Sequence, residues 1–193
     1  MTETLFCTLV GIIAVQRVLE IAQSRRNERR IISRGGREHF RAHYKAMVAV
    51  HTLWLLGMVA EVLLLRRPFV GWLAVPALAV FGVGQWLRLR ARRALGWRWT
   101  VRIFTLPRMP PVSSGIYRHV RHPNYLGVAL EIAALPLVHS AYLTAAAFSV
   151  LNAILLFVRI RREESALRRT AGYSDAMGEL PRFFPRLTRT PSP

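Results

Sequence analysis

The chain has one cysteine and one lysine in 193 residues, and only ten acidic side chains. Cys7 lies alone inside an apolar run, which excludes an intramolecular disulfide and a cysteine-built metal cluster and reads as a small buried apolar residue. No HExxH zinc motif, P-loop or nucleophile elbow occurs. The stretch GVGQWL at 82–87 lacks the third glycine of a dinucleotide fingerprint and sits in an apolar run, so Gly82 and Gly84 are expected to serve close helix packing. His39 and His43 have helical i,i+4 spacing but no third ligand nearby, so they predict a solvated helix face and no metal. The opening MTET carries Glu3 and no positive charge, and no small-residue cleavage pattern follows, which argues against a cleaved signal peptide.

What is abundant is arginine and hydrocarbon. A net charge of +18 stands beside 52% hydrophobic residues, and the two are segregated along the chain. A soluble nucleic-acid binder would mix them, so no nucleic-acid partner is expected. Apolar runs cover 5–22, 47–65, 68–87, 125–138 and 141–158. A helix needs about 20 apolar residues to cross a hydrocarbon core of about 30 Å, which the second and third runs supply alone. The first is interrupted by Gln16, Arg17 and Glu20, expected near one end. The fourth and fifth are separated only by His139 and Ser140 and predict a tight hairpin of short or tilted helices. Basic blocks at 25–45, 88–108 and 159–169 share one side if five helices cross, which puts the N-terminus outside and the C-terminus in the cytoplasm of a multi-pass cell-membrane protein. The pair Arg66 and Arg67 contradicts this rule locally. The expected fold is therefore an all-α integral-membrane bundle of about five spans in one domain, 1–193, with N-terminal spans in 1–110 and a hairpin region in 111–180. Beyond the fifth run helical character should continue toward Gly172, and the proline-rich tail should be irregular.

Chemistry concentrates at YRHVRHPNYLG, residues 117–127. Pro123 suits the first turn of a helix and makes His122 its cap, so free backbone donors and the positive end of a helix dipole should face the boundary between Arg118 and Arg121. Arg159, Glu163 and Glu164 end the same hairpin, Arg159 and Glu163 on one face and Glu164 about 100° away. An anion-binding helix start, aromatic faces and one carboxylate suit a cofactor of mixed charge. Both S-adenosylmethionine and NADPH meet that description, and a basic collar gripping anionic lipid headgroups is the non-enzymatic alternative.

SSGIYRHVRHPNYLG, followed after the hairpin by RIRREESAL and AGYSDAM, resembles the C-terminal half of the isoprenylcysteine carboxyl methyltransferase family and, more loosely, the phospholipid N-methyltransferases. The resemblance implies an integral-membrane methyltransferase that uses S-adenosylmethionine on a lipophilic acceptor from the bilayer. Tyr117, His122, Pro123, Asn124, Tyr125 and Glu163 would line the cofactor, and Arg159 would face the acceptor; His122 is the candidate for proton transfer or for a structural role. Where relatives carry a His-x-Leu-Val sequence at the cofactor, this chain has MPPV, residues 109–112. Its N-terminal half, with SRRNERR and RGGREHFRAHY, looks like bacterial members that methylate phenolic or pyrone lipids. RHPNY also occurs in NADPH-dependent membrane reductases related to the sterol reductases, the alternative enzyme class.

Overall fold

The computed structural model describes residues 3–107, 109–170 and 172–185. Five helices of the expected runs form: α1 (Glu3–Ile32), α2 (Arg41–Leu64), α3 (Gly71–Leu95), α4 (Pro123–Leu137) and α5 (Tyr142–Leu167), followed by a short α6 (Tyr173–Met177). Each outruns or matches its apolar segment because arginine-rich ends continue the helix with good helix formers. A small antiparallel ribbon pairs β1 (Arg37–His39) with β2 (Ile103–Thr105), Arg37 opposite Thr105. Large apolar side chains cover the outer faces, among them Val18, Leu64 and Trp72, while Phe6, Trp54, Met58, Phe81, Ile132 and Leu135 fill the centre. The protein is an all-α membrane bundle.

The structure corrects the span count. Among the described residues four helices, α1, α2, α3 with its 3-10 extension to Arg98, and α5, are long and apolar enough to cross a membrane. α4 has 15 residues, about 22 Å, against the about 30 Å of a hydrocarbon core. It is buried between its neighbours along most of its length. Its far end reaches the level where α1 begins: in the turn to α5, the His139 ring packs on Phe6 at 5.4 Å and Phe69 at 5.9 Å. The shortfall therefore lies at the other end, where Pro123 starts the helix below the outline of the longer ones. The termini of the expected topology, residues 1–2 and 186–193, lie outside the described residues.

Two glycines bring α4 against α3. A Cβ on Gly127 would stand 2.7 Å from the Gly84 carbonyl oxygen, and one on Gly84 would stand 2.8 Å from the Gly127 oxygen. Gly82, expected to share this role, has nothing within 4 Å of such a Cβ and faces away. Pro136, lacking an N–H, leaves the Ile132 carbonyl without its helical donor, and the buried Trp54 indole N–H of α2 supplies it at 3.2 Å. The histidine pair expected on one helix face is split: His39 is in β1, 2.8 Å from the Thr105 hydroxyl, and His43 is buried in α2. Arg67, which offended the charge rule, is paired at 2.9 Å with buried Glu61. α5 stops at Leu167, and Gly172, with φ 74°, sits at the start of α6 rather than ending α5.

Candidate active site

Because α4 begins inside the bundle, a cavity of about 270 Å³ opens at its start, walled by α1, α2, α3, α5, α6 and the loops before α4. His122 caps α4: its carbonyl accepts from the Tyr125 and Leu126 N–H groups at 3.2 Å each. Two backbone donors just before the helix, outside its first turn, are taken by the C-terminal segment. The Arg121 N–H donates to the Pro181 carbonyl at 3.0 Å and the His122 N–H to the Arg182 carbonyl at 2.9 Å, so the C-terminal segment is laid along the helix start. Pro123 is fully buried and shapes the turn without lining the cavity.

Tyr117, His122, Asn124, Tyr125, Arg159 and Glu163 do line it together. Their hub is the Tyr125 hydroxyl, which accepts from Arg159 Nε at 2.8 Å and donates to a Glu163 oxygen through a short hydrogen bond. Among the described residues no direct ion pair joins Arg159 to Glu163. Arg159 is held further by Met47 Sδ at 3.1 Å and the Val101 carbonyl at 2.7 Å, which fixes a buried guanidinium against the cavity. Glu164 points the other way, as helical geometry requires, and is more heavily engaged than expected. It accepts from His122 Nε2 at 3.1 Å and from Arg182 at 2.8 Å and 3.0 Å, and pairs with Arg121 at 3.3 Å. The His122 ring, so anchored, stacks on Tyr125 at 5.3 Å.

Outside the spans, burial first and the Glu163 carboxylate second hold the Tyr117 phenol above its ordinary range, so it presents a neutral ring. Burial, then Glu163 and Glu164, do the same to Tyr173. The hydrogen bond to Glu164 keeps Arg182 charged. Among the described residues, two buried polar atoms beside the cavity, Asn124 Oδ1 and Arg121 Nε, have no partner, and one Glu163 oxygen is engaged while the other has none. Buried polar groups normally find partners. Pro111 and Val112 of the MPPV segment still line the wall.

Sequence reading missed the opposite side of the chamber. α1 contributes Arg17, Glu20 and Ile21, α2 contributes Tyr44, Met47 and His51, and α3 contributes Arg88. Arg17 and Arg88 each bond both Glu20 and fully buried Glu131, and Arg92 bonds Glu20 at 2.8 Å. This network lies deep between α1, α3 and α4, not at a helix end. Its signal was present, since charges within an apolar run are costly in a bilayer and mark sites.

A model of the isoprenylcysteine carboxyl methyltransferase family matches residues 77–169, the stretch that carries α4, α5 and most of the cavity residues just described. An uncharacterized protein of Bacillus subtilis, YpbQ, is 39% identical over 165 residues, spanning 85% of this chain and 97% of its own. The chain belongs to the isoprenylcysteine carboxyl methyltransferase family. An uncharacterized protein of Haemophilus influenzae is 40% identical over 70 residues, 36% of this chain and 41% of that one. Membership in the family makes this a multi-pass membrane methyltransferase, and the likeness to YpbQ extends well beyond the matched family segment into the N-terminal helices.

Proposed function

We propose that the protein is an S-adenosylmethionine-dependent O-methyltransferase acting on a lipophilic acceptor that enters the chamber from the bilayer. The observation that carries this reading is the Tyr125 hydroxyl bracketed by Arg159 and Glu163 in a chamber where unpartnered polar atoms face apolar walls. These residues fit the cofactor: the open Glu163 oxygen and Asn124 Oδ1 are acceptors for its ammonium and ribose hydroxyls, the Arg121 guanidinium suits its carboxylate, and the neutral Tyr117 ring suits its adenine. When bound, the cofactor supplies a methyl group on a positively charged sulfur. The protein's own task is alignment and exclusion of water. Arg159 offsets negative charge on the acceptor oxygen, fixed for it by Tyr125, Met47 and Val101. His122, tied to Glu164, is a positioning residue for Tyr125 rather than a proton carrier. Ile21, Val48 and Leu55 form the apolar wall that suits a lipid tail. The basic helix ends favour a chamber mouth on the cytoplasmic side by the positive-inside rule.

The test is thermal unfolding of the full chain in detergent. S-adenosylmethionine at a hundredfold excess over Kd should stabilise by about 2.7 kcal/mol and raise Tm accordingly. A shift with NADPH and none with S-adenosylmethionine would overturn the reading in favour of a reductase. A shift with neither, but with anionic lipid, would make the basic collar a lipid site.

A further inference from the structure

His51 stands in the chamber wall with a role that the family motif does not cover. It lies on α2 one turn beyond Met47, and its Nδ1 is 2.8 Å from the Met47 carbonyl oxygen. A carbonyl oxygen can only accept, so Nδ1 carries the hydrogen and the neutral ring keeps its lone pair on Nε2. That nitrogen has no partner among the described residues, and the ring lines the cavity. Met47 also receives Arg159 on its sulfur, so one residue of α2 touches both Arg159 and His51. The charged groups that act on His51 are Arg17 and Glu20 of α1 and Arg159 of α5. Val48 and Leu55 line the same cavity, and the Trp54 ring lies 6.5 Å away in a T-shaped arrangement.

We propose that His51 Nε2 takes the proton from a hydroxyl-bearing acceptor whose oxygen faces Arg159, which makes the acceptor a lipid phenol or enol rather than a carboxylate. The proposal rests on the methyltransferase reading above. The acceptor O–H bond breaks, its proton joins Nε2, and the electron pair stays on the oxygen beside the Arg159 charge. That pair forms the new bond to the methyl carbon while sulfur keeps the pair of the bond it loses, and the imidazolium then returns its proton to water. A carboxylate is already ionised at neutral pH and has no use for such a base.

The experiment uses the full chain in lipid nanodiscs with labelled S-adenosylmethionine and two probes, pentadecylphenol and N-acetyl-S-farnesylcysteine. The expected result is methylation of the phenol by the parent protein and a loss of about a hundredfold or more in kcat/KM for His51→Gln. The Kd for S-adenosylmethionine by calorimetry and the Tm should be unchanged. The deficit should shrink about tenfold per pH unit as the medium approaches the phenol's own ionisation near pH ~10. A donor-free measurement gives the same answer: a bound long-chain nitrophenol should show a stronger phenolate band with the parent protein than with His51→Gln. If His51→Gln does not fold, His51→Asn is measured in the same way. Equal rates for variant and parent, or methylation of the farnesylcysteine carboxylate alone, overturns the role of His51 and leaves the methyltransferase reading standing. Failure to bind S-adenosylmethionine, seen in calorimetry before any acceptor is added, overturns both.

Discussion

The two ends of the α4–α5 hairpin each carry a buried or half-buried glutamate, and the two are treated in opposite ways. At the far end Glu61 of α2 caps the start of α5. It accepts from the Leu143 and Thr144 N–H groups at 3.1 and 2.7 Å and the Thr144 hydroxyl at 2.7 Å, and it pairs with Arg67. Its lone pairs are spent on the fold. At the near end, among the described residues, Glu163 has one hydrogen bond and one open oxygen beside two polar atoms without partners. A saturated carboxylate holds helices, and an unsaturated one at a cavity is kept for a ligand. Glu164 shows that location alone does not decide, because it sits at the near end and is as fully engaged as Glu61.

The comparison can be broken most severely at the helix crossing that both ends depend on. Gly127→Ala puts a methyl group into the Gly84 carbonyl, where backbone must move, and should cost more than about 3 kcal/mol or abolish folded protein. Gly82→Ala, with open space around it, is the control and should leave Tm unchanged within about 0.5 kcal/mol. Next, Glu61→Ala strands two backbone donors and Arg67, at a cost of about 3 kcal/mol read as a fall in Tm, with the Kd of the folded fraction for S-adenosylmethionine unaltered. Glu163→Gln should do the reverse. It weakens binding by about 1.5–3 kcal/mol, roughly ten- to a hundredfold in Kd by titration calorimetry, and moves stability by less than about 1 kcal/mol. Loss of stability without loss of affinity at Glu163 would erase the distinction.

Much of this architecture was legible because it rests on patterns a sequence displays directly. Apolar runs located five helices but not their ends, which polar and arginine-rich stretches carry well past the runs in α1, α2, α3 and α5, and Pro123 marked the start of α4 because a missing N–H costs nothing there. That the Glu163 carboxylate and the His122 region meet was reachable because both hairpin ends must return to one side, while the resemblance to the family supplied Tyr117, Asn124, Tyr125 and the placing of Arg159. What stayed hidden depends on distances along no helix. The short apolar run showed that α4 is short, but that its shortfall lies at the Pro123 end is set by where His139, in the turn after it, meets Phe6 and Phe69. That Arg17 and Glu20 reach Glu131 required knowing that α1 and α4 share a neighbour in α3. His51 carries no motif, and only its carbonyl partner and its place on the wall distinguish it from an interfacial histidine. The covering of the Arg121 and His122 N–H groups was hidden because the segment that takes them arrives about sixty residues later.

That late arrival has a consequence for how the protein is made. All the membrane helices precede residue 168, whereas the segment that pairs with Arg121 and His122 and brings Arg182 to Glu164 lies at 181–182. During synthesis the helices emerge and associate first, N-terminal ones leading. The Arg121 and His122 N–H groups stay uncovered until residues 181–182 are released, so the helices associate before this segment docks. A chain ended before residue 181 would sit in the bilayer with its helices in order and without the segment that pairs with Arg121, His122 and Glu164.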